Sequence, residues 1–161
     1  MMPMGRITKS TKVWDAEKLL TVPALVVHEN EALEELAEKA AESPACKTLA
    51  VVDGSGKLVG VLPVSLLIDG IFLGVMPEEF LVDIVGFDSA VNFARKAVVR
   101  EAKDLMQTPV SVKMDDTVKV AFEHMHKNRL SGLPIVDDEN RVIGYLDMLE
   151  LLMVWIKMKG E

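Results

Sequence analysis

The sequence contains one cysteine and no long hydrophobic run, which argues against a disulfide-stabilised protein and against a membrane-spanning one. Cys46 has no second thiol with which to form an intrachain disulfide, which fits a reducing compartment. The longest apolar stretches, such as residues 66–76, are interrupted by Asp69 and by glycines and are too short to span a bilayer. Residues 1–12 are mostly polar and small, unlike a signal peptide. We therefore expect a cytoplasmic protein that is not inserted in a membrane.

The chain also lacks an excess of positive charge. Its 18 lysines and arginines are outnumbered by 25 aspartates and glutamates, which gives a formal net charge of −7 over 161 residues. Proteins that bind nucleic acid by neutralising phosphates carry basic faces, so no nucleic-acid partner is expected. Half of the residues are hydrophobic and 27% are charged, which is typical of a globular protein with a buried core.

Motifs of catalysis and metal binding are missing as well. The sequence has no nucleophile elbow, no P-loop and no Rossmann glycine fingerprint, and Gly54 and Gly56 indicate only a hairpin turn. His124 and His126 are two positions apart, so on a helix they point to different faces and make a poor pair of metal ligands. We expect no enzyme activity, no catalytic residues and no metal site.

One pattern of residues occurs twice along the chain. The two copies align if the first copy holds two additional residues, for which the 42–45 segment is the natural place. The aligned segments are 23–27 with 109–113, Asn30 with Asp116, Ala32 with Val118, Leu36 with Phe122, 49–53 with 133–137, and 58–60 with 142–144. Such an internal repeat is the signature of a duplicated supersecondary unit.

Each copy predicts the order strand, helix, strand, strand, helix, which places the chain in the α/β (α+β) class. A short apolar strand (24–27, then 110–112) precedes a residue that favours helix N-caps, Asn30 in the first copy and Asp115 or Asp116 in the second. Apolar residues then recur at helical spacing, and a hairpin and a further helix follow. We expect an N-terminal segment 1–16, a first repeat 17–75, a helical connector 76–102, and a second repeat 103–161 that ends in a helix.

The second copy resembles a cystathionine-β-synthase-type (CBS) repeat, and the first copy matches more loosely in the same order. The resemblance rests on residues 105–112, 115–118, 131–137 and 141–146. It implies that two repeats pack through their sheets with pseudo-two-fold symmetry and that the chain forms a homodimer. It also implies that the cleft between repeats binds an adenosyl ligand, such as AMP, ATP, adenosine or S-adenosylmethionine, and signals to a separate protein target. No cofactor is certain.

In nucleotide-binding members of that family, a threonine or serine after the last strand faces a phosphate, and an aspartate three positions later binds the ribose. The first copy has Pro63 and Leu66 at these positions, so its half-site is not expected to bind nucleotide in this way. The second copy has Asp147 and Glu150. Glu150 keeps the two acceptors that a ribose needs.

Asp147 has two compatible interpretations, an N-cap of the last helix or a ligand contact. A carboxylate about 4 Å from a phosphate costs on the order of 1–4 kcal/mol in a partly exposed site, so the pair of acids favours a neutral or cationic ligand over a polyphosphate. Arg129 or Lys127 could offset the acids, or could simply be the solvated basic end of a helix. Thr108, Val110, Leu133 and Pro134 match positions that wrap the adenine in the family, and they are equally suited to a strand core.

Two functions remain open at this stage. The first is a regulatory module that senses an adenosyl ligand near the second copy. The second is a protein-interaction and dimerisation module whose ligand sites have decayed; divalent-cation sensing by the acids is a weaker third. Met148, Leu152 and Trp155 recur at helical spacing on the last helix and are expected to form part of the core together with a dimer interface.

Overall fold

The computed structural model describes residues 7–74 and 99–159. The first repeat follows a 3₁₀ helix at Val13–Leu19 and contains β1 (Val26–His28), α1 (Leu33–Glu42), β2 (Thr48–Val52), β3 (Leu58–Pro63) and α2 (Val64–Gly74). The second follows the one-turn helix α3 (Ala102–Leu105) and contains α4 (Val118–Asn128), β4 (Gly132–Val136), β5 (Val142–Asp147) and α5 (Met148–Lys159). The predicted α/β fold of two repeats is confirmed. Most of the predicted connector, residues 76–102, lies outside the described residues.

The two sheets differ by one strand. In the first repeat, β1 pairs parallel to β2, and β2 pairs antiparallel to β3. In the second, β4 pairs with β5, but the described residues 110–112 form no strand and contribute a single bridge from Val112 to Ile135. The prediction of a strand at 110–112 was therefore wrong. In the first repeat the amide of Ala50 donates to Leu25 over 2.9 Å, whereas its counterpart Pro134 has no N–H to donate.

The strand pairing corrects the alignment of the two copies by one residue. Val27 pairs with Val51 just as Val112 pairs with Ile135, so Val27 is the counterpart of Val112. The helices then begin at matching positions, and the counterpart of the buried Leu36 is Ala121 rather than Phe122, which is 52% exposed. The first copy therefore holds one additional residue between its halves and not two.

The predicted helix caps were also misplaced. The N-caps are Ala32 and Thr117, and the Thr117 hydroxyl accepts a hydrogen bond from Val120 N–H over 3.1 Å. The acids before them close the preceding turn instead. Glu31 accepts from His28 N–H over 3.0 Å, and Asp116 accepts from Lys113 N–H over 2.8 Å in the same relative positions.

Each repeat receives its leading segment from the other side of the pseudo-two-fold axis. The 3₁₀ helix before the first repeat binds the turn before α4, and α3 binds the turn before α1, through matching backbone hydrogen bonds. These are Val13 N to Asp116 O (2.9 Å), Trp14 N to Met114 O (2.8 Å) and Val118 N to Thr11 O (2.8 Å), and correspondingly Ala102 N to Glu31 O (3.0 Å), Lys103 N to Glu29 O (2.9 Å) and Leu33 N to Arg100 O (3.1 Å). The two repeats are thus interleaved and not merely adjacent.

The hydrophobic core follows the same exchange. The cluster of the second repeat, around Leu133 and Ile135, includes Val13 and Val61. The cluster of the first repeat, around Leu36 and Leu49, includes Ala102 and Leu105 from the leading segment of the second. Residues from both halves of the chain are therefore needed to fill either cluster.

Candidate ligand-binding site

The start of α5 is closed by two buried carboxylates, Asp147 and Glu150, each 6% exposed. Asp147 Oδ2 accepts from Leu149 N–H over 2.9 Å, and Glu150 Oε1 accepts from Asp147 N–H over 3.1 Å. Met148 N–H donates to the carbonyl of Ser131 over 2.8 Å. Asp147 therefore caps the helix, and side chains and backbone already occupy the amides that would otherwise attract an anion.

Glu150 also binds a distant part of the chain, which we call the strap: residues 20–25, between the 3₁₀ helix and β1. Its Oε2 accepts from Thr21 N–H over 2.6 Å and from Val22 N–H over 3.3 Å. The carboxylate that was predicted to bind a ribose thus lies at the junction of the two repeats. Hydrogen bonds from backbone amides to a buried carboxylate are among the stronger ones in proteins.

The two pseudo-symmetric half-sites differ in how they are closed. Beside the first repeat, Gln107 and Val61 exchange backbone hydrogen bonds of 2.8 and 3.1 Å, and a Cβ added at Gly60 would come within 2.6 Å of Met106 Sδ. Beside the second repeat, no such pairing joins Thr21 or Val22 to β5 within the described ranges. A Cβ at Gly144, the counterpart of Gly60, would meet nothing closer than Ile135 at 3.5 Å.

A hollow of about 480 Å³ takes the place of that pairing on the side of the second repeat. It is lined by the strap and 3₁₀ helix and by β5 with its neighbours: Glu17, Leu20, Thr21, Val22, Pro23, Ala24, Val26, Met114, Ile135, Val142, Ile143, Gly144 and Tyr145. Four more residues separate Asp15 from Val27 than separate the corresponding Asp104 from Val112. The additional length lets the strap stand away from β5. The shorter segment between α3 and Val112 instead pairs with β3 through Gln107.

Tyr145 connects this site to the first repeat. Its phenol oxygen accepts from Lys47 N–H over 3.0 Å and lies 3.4 Å from Asp147 Oδ1. Burial raises the pKa of Tyr145, so the phenol stays neutral and can act as a hydrogen-bond donor. The neighbouring Thr48 hydroxyl is buried and has no hydrogen-bond partner among the described residues.

Cys46, one residue before Lys47, is buried. Its thiol donates to the carbonyl of Thr48 over 3.3 Å. Burial raises the pKa of this thiol above its ordinary value. The thiol is therefore protonated and packed, which is the environment of an inert cysteine.

The predicted site residues fall into separate groups. Asp147 and Glu150 meet at the strap. Arg129 is exposed at the end of α4 with φ of 54°, and with Lys127, Ser131 and Met148 it lines a neighbouring hollow of about 590 Å³. Leu133 and Pro134 are buried in β4, and Val110 packs against the same cluster of the second repeat. Thr108 is exposed and follows Gln107, which pairs with the first repeat.

Four residues at the junction were not predicted: Thr21, Val22, Lys47 and Tyr145. Thr21 and Glu150 are 129 positions apart, and the contacts of Thr21, Val22 and Lys47 are made through their backbone amides. Residue type therefore carried no signal for three of the four.

Within residues 7–74 and 99–159, no group of three or more histidine, cysteine or acidic side chains is arranged to hold a metal ion. No helix in the same ranges is both long enough and apolar enough to cross a bilayer.

The fold and the junction define a pair of interleaved repeats, β-α-β-β-α in the first and the same order without its first strand in the second, with one open and one closed half-site. The family model for the CBS domain matches residues 10–72 and 102–156, and the chain belongs to this family. Both matches include the leading segments that the repeats exchange.

Among curated relatives, an inosine-5′-monophosphate dehydrogenase from Methanocaldococcus jannaschii is 32% identical over 136 residues, which is 79% of this chain and 27% of that protein. The chain thus spans about a quarter of that enzyme. Among solved structures, a CBS domain-containing protein from Thermotoga maritima has a TM-score of 0.74 and 27% identity, covering 93% of this chain and 97% of that one.

Two further structures share the fold at 21% identity. The CBS domain pair of protein MJ0100, in complex with 5′-methylthioadenosine and S-adenosyl-L-methionine, has a TM-score of 0.65 and covers 90% of this chain and 95% of that one. CBSX2 from Arabidopsis thaliana, in complex with AMP, has a TM-score of 0.66 and covers 92% and 98%.

Proposed function

We propose that this CBS pair is a regulatory module that binds an adenosyl ligand at the junction of the strap, β5 and α5 and signals to a separate protein. The observation that carries the proposal is the buried carboxylate of Glu150 bound to the strap, which lines a hollow beside the second repeat, whereas Gln107 and Met106 close the equivalent position beside the first. The volume of about 480 Å³ lies within the range of small-molecule sites. Complexes of related pairs with AMP, S-adenosylmethionine and methylthioadenosine support the ligand class.

In this proposal Glu150 accepts the ribose hydroxyls, and the apolar wall of the hollow takes the base. Val22 of the strap and Ile143 of β5 both line the hollow. Arg129, Thr108, Val110, Leu133 and Pro134 remain predicted ligand contacts. In this proposal the chain carries out no catalysis itself, since the groups at the junction are those of recognition: hydrogen-bond acceptors, an apolar wall and a capped helix.

Asp147 restricts the ligand further. Because its carboxylate takes the amide of Leu149 and is buried, it opposes a phosphate at the start of α5. Adenosine, methylthioadenosine or S-adenosylmethionine therefore suit the site better than AMP or ATP.

The melting temperature in the presence of AMP, ADP, ATP with and without Mg²⁺, adenosine and S-adenosylmethionine tests the proposal. A ligand at 100 times its Kd stabilises the folded state by about 2.7 kcal/mol. For a chain of this size the shift is about 5–10 °C. A selective shift that disappears in Glu150→Ala supports the proposal; no shift with any compound overturns it.

A second candidate is a dimerisation and interaction module with decayed ligand sites. It is favoured by the closed first half-site, where Pro63 and Leu66 replace the binding residues. It is also favoured by an exposed apolar face on α5. The most exposed members of that face are Leu149, Leu152, Met153, Trp155 and Ile156, while Leu151 and Val154 are buried. The oligomeric state in solution, measured by sedimentation velocity, tests this candidate.

A further inference from the structure

Glu150 is already close to saturated with hydrogen bonds in the absence of a ligand. A carboxylate offers about four lone-pair positions. Three donors occupy this one: Asp147 N–H on Oε1, and Thr21 N–H and Val22 N–H on Oε2. A side chain that is 6% exposed has little room to turn toward further partners.

A ribose presents two neighbouring hydroxyl donors. Together with the three amides they make five donors for about four positions, so at least one amide must leave when both hydroxyls bind. The Asp147 amide is part of the helix cap, and its loss would open the start of α5. The Val22 amide is the most weakly held of the three, at 3.3 Å, and residues 21–24 around it make no backbone hydrogen bond to a strand within the described ranges.

We infer that the Glu150–strap contact is a latch that a ribose-containing ligand opens: the diol takes the free position on Oε1 and the Oε2 position that Val22 holds, and the Val22 amide is released. This rests on the proposed function of the same site. The strap continues into the 3₁₀ helix, which is bound to the turn before α4 through Val13 and Trp14. Release of the strap therefore reaches a surface element, where Trp14 is 63% exposed. Ligand occupancy in the second repeat is in this way transmitted to the leading segment of the first.

The latch makes a distinction that simple binding does not. A nucleoside with both ribose hydroxyls opens it. 2′-Deoxyadenosine donates one hydroxyl at most to Glu150, which brings the number of donors to four and leaves the strap in place. The two nucleosides therefore differ in their effect on the strap and not only in affinity.

Amide hydrogen exchange measured by NMR on the full chain tests the latch without a ligand first. In Glu150→Ala, exchange at Thr21 and Val22 should accelerate about tenfold or more, the change expected for the loss of one ordinary hydrogen bond. Glu150→Gln keeps one carbonyl acceptor and should accelerate it less. Leu149→Ala, on the exposed face of the same turn, is the matched control. Unchanged exchange at both amides in Glu150→Ala and Glu150→Gln overturns the latch.

The second arm uses saturating adenosine and 2′-deoxyadenosine. Adenosine should accelerate exchange at Val22 about tenfold while the Asp147 amide stays protected, and 2′-deoxyadenosine should not. Adenosine binding that leaves or increases the protection of the Val22 amide overturns the latch but leaves the proposed function standing. If adenosine gives no thermal shift, opening by adenosine is overturned; if the rest of the panel gives none either, the proposed function is overturned with it.

Discussion

The backbone amide of Lys47 in the first repeat donates a hydrogen bond to the phenol oxygen of Tyr145 in the second, over 3.0 Å. The two residues are 98 positions apart, and Tyr145 is 2% exposed. The bond therefore joins the residue before β2 to the middle of β5; its tyrosine side is buried, whereas Lys47 is an exposed residue. Its removal should be costly, because the phenol oxygen sits in the core and its loss leaves the Lys47 amide without its protein partner.

Tyr145→Phe should lower the free energy of unfolding by about 1–3 kcal/mol, the usual cost of leaving one buried polar group unpaired. Phenylalanine keeps the volume of the ring, so the decrease in the free energy of unfolding measures the contribution of the hydroxyl alone. Urea denaturation measures it. Ile143→Val is the control, because Ile143 lies two positions earlier on the same strand and is 53% exposed. It should change the free energy of unfolding by less than about 0.5 kcal/mol. Equal stability of Tyr145→Phe and the parent protein would contradict the buried bond.

The phenol of Tyr145 fills the space that a side chain at position 132 would need, so this position must be glycine. A Cβ at Gly132 would lie 1.8 Å from the phenol oxygen and 2.3 Å from Cζ. Gly132→Ala should therefore destabilise the protein by roughly 1–3 kcal/mol or more. The first repeat has Thr48 and Val61 at the corresponding positions, so Gly132→Ala combined with Tyr145→Val should be better tolerated than the sum of the single changes. A coupling free energy of at least about 1 kcal/mol is expected from the double-mutant cycle, and additive effects would contradict the contact.

Asp147→Thr should change which ligand is preferred. Threonine can still accept the Leu149 amide and cap α5, but it removes the charge that opposes a phosphate. Affinity for AMP relative to adenosine should rise about tenfold, which is near the lower end of the repulsion expected between charges at this distance. Titration calorimetry with both compounds measures the ratio. Asp115→Thr removes an equal charge from an exposed turn and should leave the ratio unchanged; a similar gain in both variants would refute the local effect.

Glu31 should make stability sensitive to acid. Burial raises the pKa of its carboxyl, but the ammonium of Lys39 at 2.8 Å and the His28 amide together outweigh burial and hold the pKa below its ordinary value. Because the folded-state pKa is the lower one, the stabilisation is fully present above about pH 4.3 and is lost as the pH falls through the folded-state pKa.

The difference in unfolding free energy between the parent protein and Glu31→Gln should therefore shrink between pH 5 and pH 3, as measured by urea denaturation at a series of pH values. Lys39→Met removes the partner and should reduce the same acid-dependent difference. A difference that stays constant down to pH 3 would show that the ion pair does not set the effect.

Leu152→Glu tests the exposed face of α5. Leu152 is 54% exposed, so the substitution should leave the monomer fold intact, yet a charge on an apolar contact surface should dissociate a dimer. Sedimentation velocity should show a dimer for the parent chain and a monomer for the variant. Lys113→Glu, on the exposed turn before α4 and away from this face, provides a charge-change control. An identical assembly state for parent and variant would contradict an interface on this face.

The duplicated β-α-β-β-α unit could be predicted from sequence because apolar spacing, turns and glycines repeat in order. The details that failed depend on tertiary geometry. Phe122 was matched with Leu36 because both are apolar, and only the strand pairing reveals that Ala121 holds the buried position. The strand at 110–112 was lost because Pro134 cannot donate a hydrogen bond, although proline is common enough at strand edges to leave the pattern plausible.

The acids at the start of α5 could be found from a local motif, but the partners of Glu150 could not. The strap contacts it through backbone amides, which every residue except proline carries, so no side chain at Thr21 or Val22 identifies them. The difference between the open and closed half-sites likewise depends on four additional residues before β1, a length whose effect becomes visible only when the strap is seen to stand away from β5.

The exchange of leading segments makes a single repeat an incomplete folding unit. Cut between its repeats, the chain would give two halves, each carrying a leading segment that fits the other half better than its own. A polypeptide of one repeat could satisfy those contacts only by associating with a second copy and swapping leading segments across a true two-fold axis. In such a swapped dimer of half-length chains, the contacts that form the interior of this molecule would become the interface between two subunits.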